Sequence, residues 1–336
     1  MNIYKDFSLK PYNTFGIDAY AKYFASFASA DELKEILSEK ENAGISPFIL
    51  GGGSNILFTK NQEYVLKNEI KGIEKTDEDA EYIYVKAGAG EIWHQLVMYC
   101  IENNWAGIEN LSLIPGNAGA APMQNIGAYG AEIRDVFYSL EAFHLKEKTV
   151  TSLYHNDCAF GYRESVFKNK YKGQFAILSV TLRLNKKPHY NTSYGAIGKE
   201  LEAMGVRELS IQAISQAVIN IRSSKLPDPK KIGNAGSFFK NPEVALDKYE
   251  QLKGKFPGLI AYPADDKYKL AAGWMIEQCG WKGYREGTVG VHARQALVLV
   301  NYGNAQGKEV YRLSEKIQRS VLDKFGVMLE REVNVA

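Results

Sequence analysis

A chain of 336 residues, 45% hydrophobic and 24% charged, has the composition of a folded globular protein and more length than one ordinary domain needs. Its 41 basic and 39 acidic side chains leave a net charge of +2, which excludes the clustered basic excess of a nucleic-acid binder; any bound anion must be held locally. Cys100, Cys158 and Cys279 are odd in number and widely separated, which argues against a disulfide framework or a Cys-x-x-Cys metal site and for a reducing compartment.

The chain opens with charged residues, Met1 to Asp6, where a signal peptide needs an apolar core, and no run approaches bilayer-spanning length. A cytoplasmic protein without a membrane partner is expected. Ser29-Ala30-Asp31-Glu32 has capping-box spacing, and Leu33, Ile36 and Leu37 follow at helical intervals. Pro47 to Leu50 reads as an apolar strand running into glycines. Tyr82 to Ala87 reads as a second strand, Gly88-Ala89-Gly90 as a turn, and Ile92, Leu96, Val97, Cys100 and Ile101 as one helix face.

From 107 to 135 neither period is visible and Gly, Ala, Pro and Asn dominate, which predicts a long, tightly folded loop. Leu178, Val180, Leu182 and Leu184 alternate with polar positions as a strand buried on one face. Ile211, Ile214, Val218 and Ile221 mark a helix stopped by Pro227 and Pro229, with a domain boundary expected at Leu226 to Lys231. Beyond it, Ala272, Met275, Ile276 and Cys279 form a helix stripe closed by Gly280, Ala296 to Val300 a buried strand, and Val310, Leu313, Ile317 and Val321 the inner face of a last helix. No repeat or low-complexity tract is present, and the elements mix α and β.

Three segments carry chemistry. Gly51-Gly52-Gly53-Ser54-Asn55 after a strand is either a plain tight turn or a nest of backbone amides for phosphate, and it fits neither the dinucleotide fingerprint nor the P-loop. Pro115 to Gly130 is more specific: it is either a buried structural loop or a ligand site in which small residues admit a flat ligand against the main chain, while Gln124 and Asn125 can read polar ring edges. Gly236-Ser237-Phe238-Phe239-Lys240-Asn241-Pro242 sets a hydroxyl between glycine and aromatics, either a serine-capped core turn or a proton donor in a dry site; no nucleophile elbow surrounds it.

Together with Asn13-Thr14-Phe15-Gly16, Gly161-Tyr162-Arg163-Glu164-Ser165 and Lys225-Leu226-Pro227-Asp228-Pro229, these segments make the whole chain resemble the UDP-N-acetylenolpyruvoylglucosamine reductase family. The resemblance implies an α+β protein with a two-lobed FAD-binding domain of the vanillyl-alcohol-oxidase/PCMH type, lobe 1 over 1–67 and 326–336 and lobe 2 over 68–222. A smaller α+β substrate-binding domain would span 223–325. It implies non-covalent FAD held by Gly51, Gly52, Gly53, Ser54, Asn55, Gly116, Gln124, Asn125 and Gly127, with Arg222 a further flavin contact, and NADPH as electron donor.

The implied reaction reduces the enol ether of a UDP-sugar for peptidoglycan synthesis, with Ser237 as proton donor and Arg163 and Glu332 polarising the substrate carboxylate. A free serine is a poor acid, so it needs a strongly basic carbon as acceptor, and Lys225 is placed by the resemblance to supply a supporting field. Lys240, Asn241, Tyr262, Lys282 and Gln295 match substrate contacts, and Ser193-Tyr194-Gly195 resembles the mobile tyrosine loop of the first subtype. Arg331 departs from the proline that the family commonly has before its glutamate. No metal site is implied, and a monomer is the default.

Without the family, Arg163 reads as a surface ion pair with Glu164, Glu332 as an exposed tail carboxylate, Lys282 as a solvated residue and Tyr262 as a half-buried aromatic. His292 is open between core and substrate. Two other functions fit the same segments: a different flavin oxidoreductase of this fold, with tethered flavin and oxygen as acceptor, and a non-catalytic nucleotide-sugar or flavin carrier.

Overall fold

The computed structural model describes residues 2–39 and 44–336. Its contacts divide the chain into two compact units, one comprising Met1–Phe7, Ala21–Gly52 and Gln62–Ser224, the other Ser8–Tyr20, Gly53–Asn61 and Lys225–Ala336.

The first unit contains two larger sheets and a short antiparallel pair, Gly127–Ala128 with Ala131–Glu132. Strands Tyr20–Phe27, Gln62–Asn68 and Phe48–Leu50 run parallel in that spatial order, with Tyr4–Ser8 at the edge. Helix Ala30–Ile36 lies between the first two of these in sequence and buries Leu33 and Ile36 with Phe27, Tyr64 and Phe143. Ser29 caps it, accepting from the Glu32 N–H at 3.1 Å, while the Glu32 carboxylate reaches back to the Ala28 N–H at 2.7 Å, one residue beyond the usual box.

The second sheet is antiparallel, in the order Thr149–Tyr154, Phe137–His144, Phe175–Asn185, Tyr82–Gly88, Ile73–Glu78. Its central strand Phe175–Asn185 corrects the one-face expectation, because every residue from Ala176 to Val180 is buried. The cause is a core on each side: Ala176 and Leu178 pack with Phe27 and Phe143, whereas Ile177, Val180, Leu182 and Leu184 pack with Trp93 and Leu96. Helix Trp93–Glu102 buries Leu96, Val97, Cys100 and Ile101 as expected, but Ile92 stands exposed at the N-cap and Trp93 takes the inward place. Helices Gly195–Ala203 and Ile211–Lys225 pack through Ile197, Leu201, Ala217, Val218 and Ile221.

In the second unit, Gly233–Ser237, Val298–Asn301, Val289–Val291 and Arg285–Glu286 form an antiparallel sheet. Glu243–Ala245, Lys267–Leu270 and Ala261–Ala264 form a smaller one, and the tail strand Asn334–Val335 runs parallel to Ile56–Leu57. Helix Gly307–Phe325 turns Val310, Leu313, Ile317 and Val321 inward, and a left-handed Gly326 ends it. Helix Ala272–Gln278 buries Met275 and Ile276 and is followed by Cys279 and the left-handed Gly280.

Cys100 and Cys158 are fully buried and lie in the first unit, and burial pushes both thiols up to about 12. Cys279, in the second unit, is half-buried with its sulfur 3.6 Å from the Ser320 carbonyl. Among the described residues no cluster of His, Cys, Asp or Glu could hold a metal, and no helix is long and apolar enough to cross a membrane.

Candidate active site

In the first unit the glycine segments meet backbone to backbone. A Cβ on Gly52 would lie 2.6 Å from the Asn117 side-chain oxygen and 2.9 Å from the Gly116 Cα, and one on Gly119 would lie 2.5 Å from the Ala89 Cβ. Asn117 binds the Gly90 carbonyl at 2.8 Å, and the Trp93 N–H binds that of Gly116 at 2.9 Å. Only residues without a Cβ allow chain segments this near one another. Gly51 and Gly52, distant in sequence from Gly116, thus join it in one partly buried patch of side-chain-free main chain.

Between 107 and 135 the expected loop is a series of short 3-10 turns, Glu109–Leu111, Ala118–Ala120, Pro122–Gln124 and Ile133–Asp135. Gln124 is half-buried. Asn125 is fully buried in a left-handed conformation, φ 42°, with its amide nitrogen 2.9 Å from both Glu132 Oε2 and the Gly161 carbonyl, and its oxygen accepting from the Arg134 N–H at 3.2 Å. The Asn125 side chain therefore shapes the loop from inside.

Arg163 also has positive φ, 54°. Its guanidinium donates to the Asn125 carbonyl at 3.4 Å and to the Gly127 carbonyl, pairs with Glu132 at 3.6 Å, and lies over the Tyr162 ring. A Cβ on Gly127 would sit 2.7 Å from Nη1, so that glycine is what lets the arginine lie on the loop. Nothing in the spacing pointed to Glu132.

Arg222 donates from Nε to the Leu113 carbonyl at 3.2 Å and lies near enough to the Tyr129 phenol to interact with it, and among the described residues it pairs with no carboxylate. Burial lowers its pKa, the Tyr129 contact opposing that, and burial raises the Tyr129 phenol. Tyr194 is partly exposed and sets its ring edge-on to Tyr129 at 5.2 Å. A glycine-lined main chain beside an arginine lacking a carboxylate partner is a donor set suited to a flat ligand bearing phosphate. This unit's residues fit FAD.

The second unit holds Ser237. Its strand pairs Asn234 with Val300 but Ser237 with Val298, so one extra residue bulges out, with Gly236 at φ 69°. Asn234 fixes the bulge by accepting from the Gly236 N–H at 3.0 Å and donating to the Ile232 and Pro227 carbonyls. Phe238 and Phe239 after it are fully buried. The tail then pairs with this segment: the Glu332 N–H reaches the Phe238 carbonyl at 2.9 Å, the Lys240 N–H reaches that of Glu330 at 2.9 Å, and Asn55 donates to the Glu332 carbonyl at 3.3 Å.

Ser237, Glu332 and Asn55 are so brought to one place, with Ser54 beside Asn55 and Gly53 closed onto Tyr12 and Thr14. Arg331 docks the tail: Nε binds Ser314 Oγ at 2.9 Å and the guanidinium lies 4.3 Å over the Tyr311 ring.

Four of the remaining expected substrate residues, Lys240, Asn241, Gln295 and Lys282, have structural partners. Lys240 is buried against Glu330 at 2.6 Å, and Asn241 accepts from the Ala272 N–H at 3.0 Å at the start of a helix. Gln295 accepts from the Leu297 N–H at 3.3 Å, and Lys282 pairs with Glu277 at 2.9 Å. Tyr262 stands exposed in its strand, and Lys225 is exposed at its helix end. His292 is buried with Nδ1 unpaired, and burial lowers its pKa.

Residues 21–152 match the family described as FAD binding domain, and residues 228–336 the family described as UDP-N-acetylenolpyruvoylglucosamine reductase, C-terminal domain. A UDP-N-acetylenolpyruvoylglucosamine reductase of Amoebophilus asiaticus (strain 5a2) is 52% identical over 337 residues, covering 100% of this chain and 99% of that one. The chain belongs to the UDP-N-acetylenolpyruvoylglucosamine reductase family.

The reductase of Thermus caldophilus has the same fold, with a TM-score of 0.66 at 23% identity across 99% of this chain and 98% of that one. The fold extends to p-cresol methylhydroxylase, with a TM-score of 0.52 at 12% identity over 97% and 85% of the two chains. The α+β, FAD-binding architecture is thus that of the methylhydroxylase type, and the chain is a reductase-family oxidoreductase containing FAD. Full-length identity decides against the rival flavoenzyme, whose fold relatives share far less sequence.

Proposed function

We propose that this chain uses NADPH to reduce UDP-N-acetylenolpyruvoylglucosamine to UDP-N-acetylmuramate in peptidoglycan precursor synthesis, in the cytoplasm and as a monomer. What carries the reading is identity of 52% along the whole chain to a reductase of that substrate. The segments 1–67 with 326–336, and 68–222, are assigned to the cofactor, which is held without a covalent link, and 223–325 to the nucleotide sugar.

FAD, held by Gly51, Gly52, Gly116 and their neighbours, would supply hydride transfer, with NADPH as the donor and the terminal enolpyruvyl carbon as the acceptor. Ser237 gives the proton to the neighbouring carbon, and the bulge before it holds its hydroxyl in a fixed direction. Arg163 and Glu332 polarise the substrate carboxylate as charge develops. Tyr194 shields the substrate, while Lys225, Lys240, Asn241, Tyr262, Lys282 and Gln295 bind it.

Anaerobic stopped-flow absorbance tests this. NADPH should bleach the flavin, and the enol ether should restore its colour within the mixing experiment. A protein that NADPH reduces but the enol ether cannot reoxidise would replace this function with an oxidase of the same fold.

A further inference from the structure

The approach to the flavin loop contains a strained peptide. Leu113 is left-handed, φ 58°, a conformation in which side chains cost roughly 1–2 kcal/mol. Such strain persists only where the surroundings over-determine it. Here both polar atoms of the residue are held by side chains. Its N–H donates to His94 Nδ1 at 3.0 Å, and its carbonyl accepts from Arg222 Nε at 3.2 Å.

The two side chains come from different helices, Trp93–Glu102 and Ile211–Lys225, and each helix adds a second tie to the same stretch. Trp93 Nε1 donates to the Leu111 carbonyl at 3.0 Å, and Ser112 and Ser215 share a hydrogen bond at 2.8 Å. Two residues beyond Leu113 the chain enters Pro115 and Gly116, the start of the cofactor segment.

We propose that His94 is a positioning residue for the flavin-binding loop, which it holds by accepting the Leu113 N–H while Arg222 holds the carbonyl. The role requires neutral imidazole. A proton on Nδ1 would replace the acceptor with a donor facing the Leu113 N–H. Arg222, on the helix opposite, is the charged group whose field reaches His94, and it stands with Tyr129 beyond it. Burial first and the Arg222 charge second lower the pKa of His94 below its ordinary 6.5.

The sign follows from that depression. Above the ordinary value the ring is neutral with the loop clamped or free, so the clamp acts in full. As pH falls below it, the freed ring takes a proton more readily than the clamped one, and the contribution is lost. FAD affinity should therefore weaken on acidification, independently of which substrate is reduced; the inference rests on the loop binding FAD alone.

The test is FAD dissociation from the holoenzyme, followed by flavin fluorescence between about pH 8 and pH 5. His94→Ala should bind FAD roughly tenfold more weakly at neutral pH, the size of one lost hydrogen bond to a partly buried donor. His94→Asn offers an amide oxygen as replacement acceptor that does not titrate; it should restore most of the affinity and flatten the acid limb. If His94→Asn and the unaltered protein lose FAD along the same pH curve, the proposal is overturned, whether or not the alanine variant folds. Unchanged affinity in His94→Ala would overturn it equally.

Discussion

The Pro115–Gly130 loop and the Ser237 strand both place irregular main chain at a chosen spot, and the loop leans more on side-chain ties than the strand does. The loop has main-chain bonds at its start, Ala118 to Glu91 at 2.8 Å and Gly119 to Ala89 at 3.0 Å, but further along side chains reach its carbonyls: Ser165 to Met123 at 2.6 Å, Asn110 to Tyr129 at 2.9 Å, and Arg163 to Asn125 and Gly127. The Ser237 segment is tied by main-chain pairs, Phe238 to Leu297 at 2.8 Å and Glu332 to Phe238 at 2.9 Å, with Asn234 bracing the bulge from a side chain. A side-chain scaffold exposes its stability to mutation, whereas a ladder keeps its geometry through most substitutions. Changes near Ser237 should accordingly alter chemistry with the fold intact, and changes near Asn125 should alter both.

The largest expected effect sharpens that contrast. Ser237→Ala should slow flavin reoxidation by the enol ether roughly 10³-fold, the usual loss with a general acid, with melting temperature and bound FAD unchanged. A large drop in melting temperature there would break the comparison. Next comes Asn125→Ala, which removes the hydrogen bonds to Glu132 and the Gly161 carbonyl and takes the side-chain acceptor from the Arg134 N–H. It should cost about 2–3 kcal/mol by denaturant titration and release FAD. Arg331→Ala, which removes the Ser314 bond and the Tyr311 stacking, should cost about 1–2 kcal/mol. Because it loosens the segment carrying Glu332, turnover in the steady state should fall with it. The smallest is Ser29→Ala, loss of a helix cap worth about 1 kcal/mol, and its kinetics should be those of the parent.

Local pattern was enough where a side chain's fate is decided by its near neighbours. The inward faces of Gly307–Phe325 and Ile211–Lys225 follow from spacing, and so does the Ser29 cap. It failed where partners are distant in sequence. Ser179 looks like a solvent position but is buried with its hydroxyl on Glu141 at 2.7 Å, and Ile92 gave way to Trp93 because the indole reaches the Leu111 carbonyl. The site divides in the same manner. Glycine runs and Ser237 are visible as motifs, but Glu132, Tyr129 and His94 owe their places to tertiary contacts, and the bulge that aims Ser237 arises from a register with Val298 and Val300. Arg331, a departure from the family's proline, turned out to have a docking contact of its own.

The three thiols give the molecule built-in reporters. Cys100 and Cys158 lie sealed in one unit and Cys279 sits half-covered in the other. Reagents that label only exposed thiolates will find the first pair silent until their unit opens, while Cys279 responds to local breathing of its helix end. Pulsed labelling read by mass spectrometry would then time the opening of each unit separately in a single sample, and show whether bound flavin delays one or both.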